Sequence, residues 1–307
     1  AQRIEEELDK FGIPHTRVGE TGVLGTLKGA KDNGKVLVLR ADIDALPIEE
    51  THECVYRSEN AGVMHACGHD AHMTIALGVA KLLQEQGLAC GRVKLLCQPA
   101  EEIGRGALAM LEAGALDDVQ YALGYHVMPK DMARSGQIIA QINWTACTLM
   151  EGEIRGLAAH GSQPHLGVNA IDAGAAIVNA INALHSNPLL GGSIKTTRFM
   201  GGAGSLNAIC DKVSIGFDLR STSNAEMLEL RRKVEEIVVN TAKVYGAEAD
   251  CHIVGTCPAA EADPSLLALT QEVISAELGA GGLIPAANIT VGEDFNFFKQ
   301  ELSLIHI

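Results

Sequence analysis

Val36-Leu37-Val38-Leu39 runs without a break into Arg40-Ala41-Asp42-Ile43-Asp44-Ala45-Leu46-Pro47. Four consecutive aliphatic residues leave no polar face, the pattern of a strand buried on both sides, as in a parallel sheet covered by helices. Two carboxylates follow where that strand stops. The figure recurs: an expected strand at 92–97 ends in Gln98-Pro99-Ala100-Glu101-Glu102, and another at 119–125 ends in His126. Helical patterns at about 71–86 and 107–113 separate them. Such alternation predicts a mostly parallel sheet whose ligand crevice lies past the carboxyl ends of its strands, collecting Asp42, Asp44, Glu101, Glu102 and His126 on one edge.

Beyond residue 145 the rhythm changes. Strands are expected at 148–155, 193–199, 212–220 and 248–254, the third with Val213, Ile215, Phe217 and Leu219 alternating, and helices at 169–185 and 225–245. The order β-α-β-β-α-β is that of the ferredoxin-like unit. The expected fold is therefore α/β, with a mostly parallel-sheet domain over 1–145 and 256–307 split by an inserted ferredoxin-like α+β domain over 146–255. A further helix is expected at about 265–278, and no internal repeat is visible.

Composition sets outer limits. The 24 Lys and Arg against 38 Asp and Glu give a net charge of −14, which excludes a general nucleic-acid binder, while 47% hydrophobic residues provide for a sizeable core. No run approaches the roughly 18 apolar residues of a membrane span, and the start is not a secretion signal, so the simplest compartment is the cytoplasm. Eight scattered cysteines without framework spacing read as reduced thiols. The chain opens inside a helical pattern, with Ile4, Leu8 and Phe11 on one face and Gly12 as its stop, and closes on Leu302-Ser303-Leu304-Ile305-His306-Ile307 just after an expected helix start at Glu293-Asp294-Phe295. Both ends read as those of a fragment.

The densest chemistry is Met64-His65-Ala66-Cys67-Gly68-His69-Asp70-Ala71-His72. Thiolate and neutral imidazole are zinc-type ligands, and Cys67 and His69 on a turn before a helix can face one ion. Asp70 is expected as the helix N-cap. His72 is expected as a solvated or supporting histidine, and His65 is left open. Adjacent glutamates at a strand end are usually a solvated turn. Beside metal-type ligands, however, one carboxylate can bind the ion while the other takes a proton from the attacking water.

The segments 40–47, 64–72, 98–102, 124–126, 156–169, 201–209 and 292–295 together resemble the aminoacylase and hippurate-hydrolase branch of the binuclear metallopeptidases. Seven motifs occur in order, with Cys67, His69, Glu102 and His126 at steps of 2, 33 and 24. The resemblance implies an amidohydrolase acting on N-acyl amino acids or related small amides with two divalent ions, zinc, manganese, cobalt or nickel. It implies Cys67, His69, Glu102 and His126 as metal ligands, Glu101 as general base and acid, and Asp44 as a carboxylate orienting a ligand histidine. In the inserted segment it implies a homodimerisation domain in which His160 reaches the partner's active site, with Asn207 and Arg220 as substrate contacts. His160 could otherwise be a surface loop residue and Arg220 an edge-strand charge. The family's last histidine ligand comes from well beyond Gly-Glu-Asp-Phe, whereas this chain runs 14 residues past Glu293, so His306 lies too near to be that ligand. Two other readings remain: Cys67 as a nucleophile with His69 as its base, and an inactive fragment or non-catalytic small-molecule binder.

Overall fold

The aliphatic run at Val36 becomes the centre of a six-stranded sheet. In the computed structural model, residues 1–187, 190–202, 204–300 (Gln300 by its backbone alone) and 302–307 are described. They divide into two units, Ala1–Asn143 with Ala260–Asn288 and Glu293–Ile307, and Trp144–Ala259 with Ile289–Gly292. In the first unit the chain forms α1 (Gln2–Phe11), β1 (His15–Val18), β2 (Gly22–Lys28), β3 (Lys31–Asp42), α2 (His69–Gln86), β4 (Cys90–Gln98), α3 (Gly106–Glu112) and β5 (Tyr121–Gly124). The short β6 (Ile138–Ile139) and β7 (Ile142–Trp144) follow.

The second unit holds β8 (Ala146–Arg155), α4 (Ala170–Asn182), β9 (Ser193–Gly201), β10 (Lys212–Ser221), α5 (Asn224–Val244) and β11 (Glu248–Cys257). The chain then forms α6 (Pro264–Leu278), β12 (Leu283–Ile284), β13 (Ala287–Ile289), a 3-10 turn over Asp294–Gln300 and β14 (Ser303–His306). Among the described residues no helix is long and apolar enough to cross a membrane.

The first sheet has the order β1-β2-β4-β3-β5-β14. Pairs β3/β4, β3/β5 and β5/β14 are parallel, whereas β1/β2 and β2/β4 are antiparallel, so the sheet is mixed and mostly parallel in its central part. Ile4 and Leu8 of α1 and Ala76 and Ala80 of α2 pack with Val23, Leu39, Ala41 and Leu95 in one core. Helix α1 stops where expected, at Gly12 in the left-handed conformation. Register places the chemistry: Asp42 pairs with Gln98, and His306 with Gly124, so the polar residues that end these strands share one edge.

Sheet two is antiparallel throughout, in the order β11-β8-β10-β9, the ferredoxin-like arrangement. Val213, Ile215, Phe217 and Leu219 alternate into its core, where α5 contributes Met227, Leu230, Val234 and Val238 at helical spacing. Each such large side chain stabilises the unit by about 1.5–3 kcal/mol. Ser223 caps α5 by accepting from the Glu226 amide.

Three differences from expectation stand out. Strands β1 and β2 are additional, and β14 turns the closing aliphatic run into an edge strand beside β5. Helix α2 begins at His69 with Gly68 as its N-cap, so Asp70 lies exposed inside the first turn without a capping bond.

Candidate metal centre

Four chain segments deliver the site. Gly68, with φ +85°, makes the turn that separates Cys67 from His69, and a Cβ there would come within 2.5 Å of the Val127 side chain. The end of β4 passes through Ala100, the one non-glycine residue with positive φ among those described, at +60°, immediately before Glu101 and Glu102. Backbone held in that region costs on the order of 1 kcal/mol and signals a loop whose shape is set by its surroundings. Strand β3 supplies Asp42 and then Asp44, and the segment after β5 supplies His126.

Hydrogen bonding fixes how the imidazoles point. His69 Nδ1 is 2.9 Å from the Asp44 carbonyl, which can only accept, so Nδ1 carries the proton and Nε2 presents a lone pair. The same logic applies to His126, whose Nδ1 donates to the Val127 carbonyl at 2.7 Å, leaving Nε2 3.5 Å from Cys67 Sγ. His69 Nε2 stands 3.8 Å from Glu102 Oε1. Asp44 Oδ2 accepts from the Glu102 amide at 3.0 Å and Oδ1 stands 3.5 Å from His69 Nδ1, so Asp44 braces both a candidate ligand and the loop carrying another.

The donor set fits a cation. His69 Nε2, Glu102 Oε1 and Asp44 Oδ1 are buried with no hydrogen-bond partner among the described residues. Donor atoms of Cys67, His69 and His126 lie within 4.8 Å of one another, as do those of His69, Glu101 and Glu102. Thiolate, imidazole and carboxylate are the ligand types of zinc and its neighbours. Burial works against charging His69, yet Asp44, Cys67 and Asp42 push its pKa up to about 11. The surroundings thus favour a positive charge at His69, carried as a proton on Nε2 when no cation takes that lone pair. Burial also lowers the His126 pKa and raises that of Glu102, the second opposed by His69. His65 belongs to none of the close donor groups.

Behind this site lies a buried ionic cluster. Arg40, fully buried, donates through Nε to Gln98 (3.0 Å), through Nη1 to Asp42 (2.7 Å), and through Nη2 to Glu293 (3.0 Å) and Asp294 (2.9 Å). Asp294 also accepts from Gln98 Nε2 and the Ala107 amide. One guanidinium serves Asp42, Glu293 and Asp294, with Glu101 nearby, so the cluster has an excess of carboxylates. Glu101 answers for it: burial, then Glu293, raises its pKa to about 9 against the pull of Arg40. Neither Arg40 nor Glu293 and Asp294 was assigned a role by sequence, although the Gly-Glu-Asp-Phe motif carries two of them. His72, expected solvated or supporting, is wholly buried and bonds Asp42. His306 is buried with its ring 5.0 Å from Phe295, outside the close donor groups.

In the second unit, His160 and Asn207 meet: Asn207 Nδ2 is 3.4 Å from His160 Nε2, and Ser162 Oγ is 2.7 Å from Nδ1. His160 is exposed. Arg220 is half-buried and forks onto Asp218 through Nε and Nη2, while Nη1 donates to the Thr290 carbonyl. Within the 201–209 motif, Ala203 lies outside the described residues.

A mixed, mostly parallel sheet with imidazole, thiol and paired carboxylates at its edge, accompanied by a ferredoxin-like unit, defines a metallohydrolase architecture. The chain belongs to peptidase family M20/M25/M40, whose sequence pattern matches residues 38–306, and it is accordingly a metal-dependent hydrolase. It is 31% identical over 313 residues to an IAA-amino acid hydrolase (ILR1-like 4) of Arabidopsis thaliana, covering 97% of this chain and 69% of that one. With the N-acetyl-L-cysteine deacetylase of Bacillus subtilis strain 168 it shares 31% identity over 293 residues, 92% of this chain and 68% of the other. A dinuclear metal binding peptidase of the M20 family from Bacillus subtilis superposes with a TM-score of 0.84 at 28% identity, covering 99% and 80% of the two chains.

Proposed function

We propose that this protein hydrolyses the amide bond of N-acyl amino acids or related small amides, with Cys67, His69, Glu102 and His126 as ligands of up to two divalent ions and Glu101 as general base and acid. The observation that carries this reading is the convergence of His69 Nε2 with Glu102 Oε1 and of Cys67 Sγ with His126 Nε2, His69 Nε2 and Glu102 Oε1 being buried with no hydrogen-bond partner among the described residues. The thiolate favours zinc, with manganese, cobalt and nickel as alternatives. The names of the Arabidopsis and Bacillus relatives support an acylated amino acid as substrate.

A divalent ion held there supplies a Lewis acid for the amide carbonyl and lowers the pKa of water. Glu101 accepts the proton of the attacking water and returns it to the leaving nitrogen. Asp44 keeps the His69 tautomer and the Glu102 backbone fixed while charge shifts. In this reading residues 1–145 and 256–307 carry the chemistry, and 146–255 bring two copies together as a homodimer. His160, exposed and oriented by Ser162 and Asn207, then meets the oxyanion in the second copy. Asn207 and Arg220 hold the polar and carboxylate ends of the substrate, Arg220 by exchanging its contact with Thr290.

A panel of N-acetyl and N-benzoyl amino acids assayed with added zinc or manganese tests this. Glu101→Gln is expected to abolish turnover while metal content stays at the wild-type level. Near-normal activity of that variant would overturn the assignment.

A further inference from the structure

His72 lies one turn after His69 on α2, is completely buried, and takes no part in the reaction proposed above. Its surroundings define its state. The Val127 amide nitrogen stands 2.9 Å from His72 Nε2, and because a backbone amide only donates, Nε2 is the acceptor and Nδ1 carries the proton. That proton goes to Asp42 Oδ1 at 2.5 Å, while Asp42 Oδ2 is held by Arg40. Imidazole, carboxylate and guanidinium thus form one line of hydrogen bonds inside the protein, ending on a main-chain amide.

The residue at the end of that line is the one that aims His126. Val127 donates its N–H to His72 and, through its carbonyl, accepts the His126 Nδ1 proton at 2.7 Å. Tyr125, two residues before Val127, is tied to the same place, since its hydroxyl donates to the His72 carbonyl at 2.7 Å. Ring contacts reinforce the bonds. The His72 ring stacks on His69 with centroids 5.4 Å apart and meets His126 edge-on at 4.6 Å.

We propose that His72 is a positioning residue: by holding Val127 it fixes the tautomer and aim of His126, and by stacking it steadies His69, so that the cation-binding donors are set before the ion arrives. This rests on reading His69 and His126 as ligands. Preorganisation of this kind is what supporting hydrogen bonds around a metal site provide, because without it the ion must order its own ligands.

The test separates the two bonds of His72. In His72→Asn the side-chain amide can replace Nδ1 toward Asp42 but leaves Val127 without an acceptor, whereas in His72→Gln the longer side chain can return an acceptor to Val127. Zinc affinity is measured on the full chain by competition with a chromophoric chelator, and the metal-free proteins are compared by thermal unfolding. Zinc affinity is expected to fall about 10–100-fold in His72→Asn and to stay within about threefold of wild type in His72→Gln. Cobalt-substituted His72→Asn should show a weakened, shifted visible spectrum, which a purely structural role would leave unchanged. Wild-type affinity in His72→Asn, or equal losses in both variants, would overturn the proposal. Should the Asn protein not fold, His72→Leu, which offers Val127 no acceptor, is compared with His72→Gln, both lacking the Nδ1 bond to Asp42: a zinc loss in the Leu variant that the Gln variant does not share supports the proposal, and equal losses overturn it. His126→Ala tests the ligand reading separately: if it binds zinc as wild type does, that reading fails, and if it loses zinc while His72→Asn does not, only the present proposal fails.

Discussion

Replacing Arg40 by Met should uncover how much of the first unit depends on a single buried charge. The guanidinium makes four hydrogen bonds at 2.7–3.0 Å, to Gln98, Asp42, Glu293 and Asp294. Counted singly, such charged bonds contribute about 1.5–3 kcal/mol each. Their sum overstates the loss, because Asp42 keeps His72, Asp294 keeps Gln98 and the Ala107 amide, and Glu293 keeps the Phe295 amide. Removing one partner of a buried ionic group costs about 3–5 kcal/mol, a large share of the roughly 5–15 kcal/mol that stabilises a domain. The assay is hydrogen exchange on peptides covering β3 and β4, with urea unfolding as a second measure. The deficit should shrink on acidification, since the abandoned carboxylates then take up protons and become neutral. A loss below about 1 kcal/mol at neutral pH, or a deficit that grows as pH falls, would refute the view that Arg40 neutralises this cluster.

Two further outcomes follow from the same geometry. Burial lowers the His306 pKa to about 4, below its usual value near 6.5, so the folded state resists a proton that the unfolded chain accepts. That contribution is fully present above pH 6.5 and is lost as pH falls toward 4, by about 3 kcal/mol; urea midpoints between pH 7 and 4.5 should show the slope, and His306→Leu should remove it. Gly106→Ala would set a Cβ 1.9 Å from the Pro99 carbonyl oxygen, forcing the loop that carries Glu101 and Glu102 to move. Zinc affinity and turnover should both fall in that variant, and a protein that binds zinc normally would show that the loop has room to adjust.

Much of this arrangement is legible in the sequence because its signals are periodic or dense. Alternation at Val213, Ile215, Phe217 and Leu219 marks β10 to within a residue of its observed bounds. The apolar runs that end in carboxylates mark β3 and β4, and three histidines with a cysteine inside eight positions mark the candidate site. Elements that rely on neighbours are harder to read. Strand β14 has four residues and exists by pairing with β5, and β1 is as short with two of its four residues exposed, so neither carries a pattern of its own. Arg40 reads as an ordinary charge until Asp42, Glu293 and Asp294 close around it, two of them more than 250 positions away. His72 is similar. Its spacing from His69 puts both on one helix face, but the partner that gives it meaning, Val127, comes 55 residues later.

The proposed chemistry requires Cys67, His69, Glu102 and His126 to hold the catalytic metal. Anomalous diffraction at the zinc edge from crystals of the zinc-loaded protein locates that metal. A strong peak is expected about 2.3 Å from Cys67 Sγ and about 2.0–2.1 Å from a histidine Nε2, with Glu102 completing the contact. Zinc bound elsewhere, or no peak at these residues in a protein that hydrolyses N-acyl amino acids, would contradict the proposed chemistry.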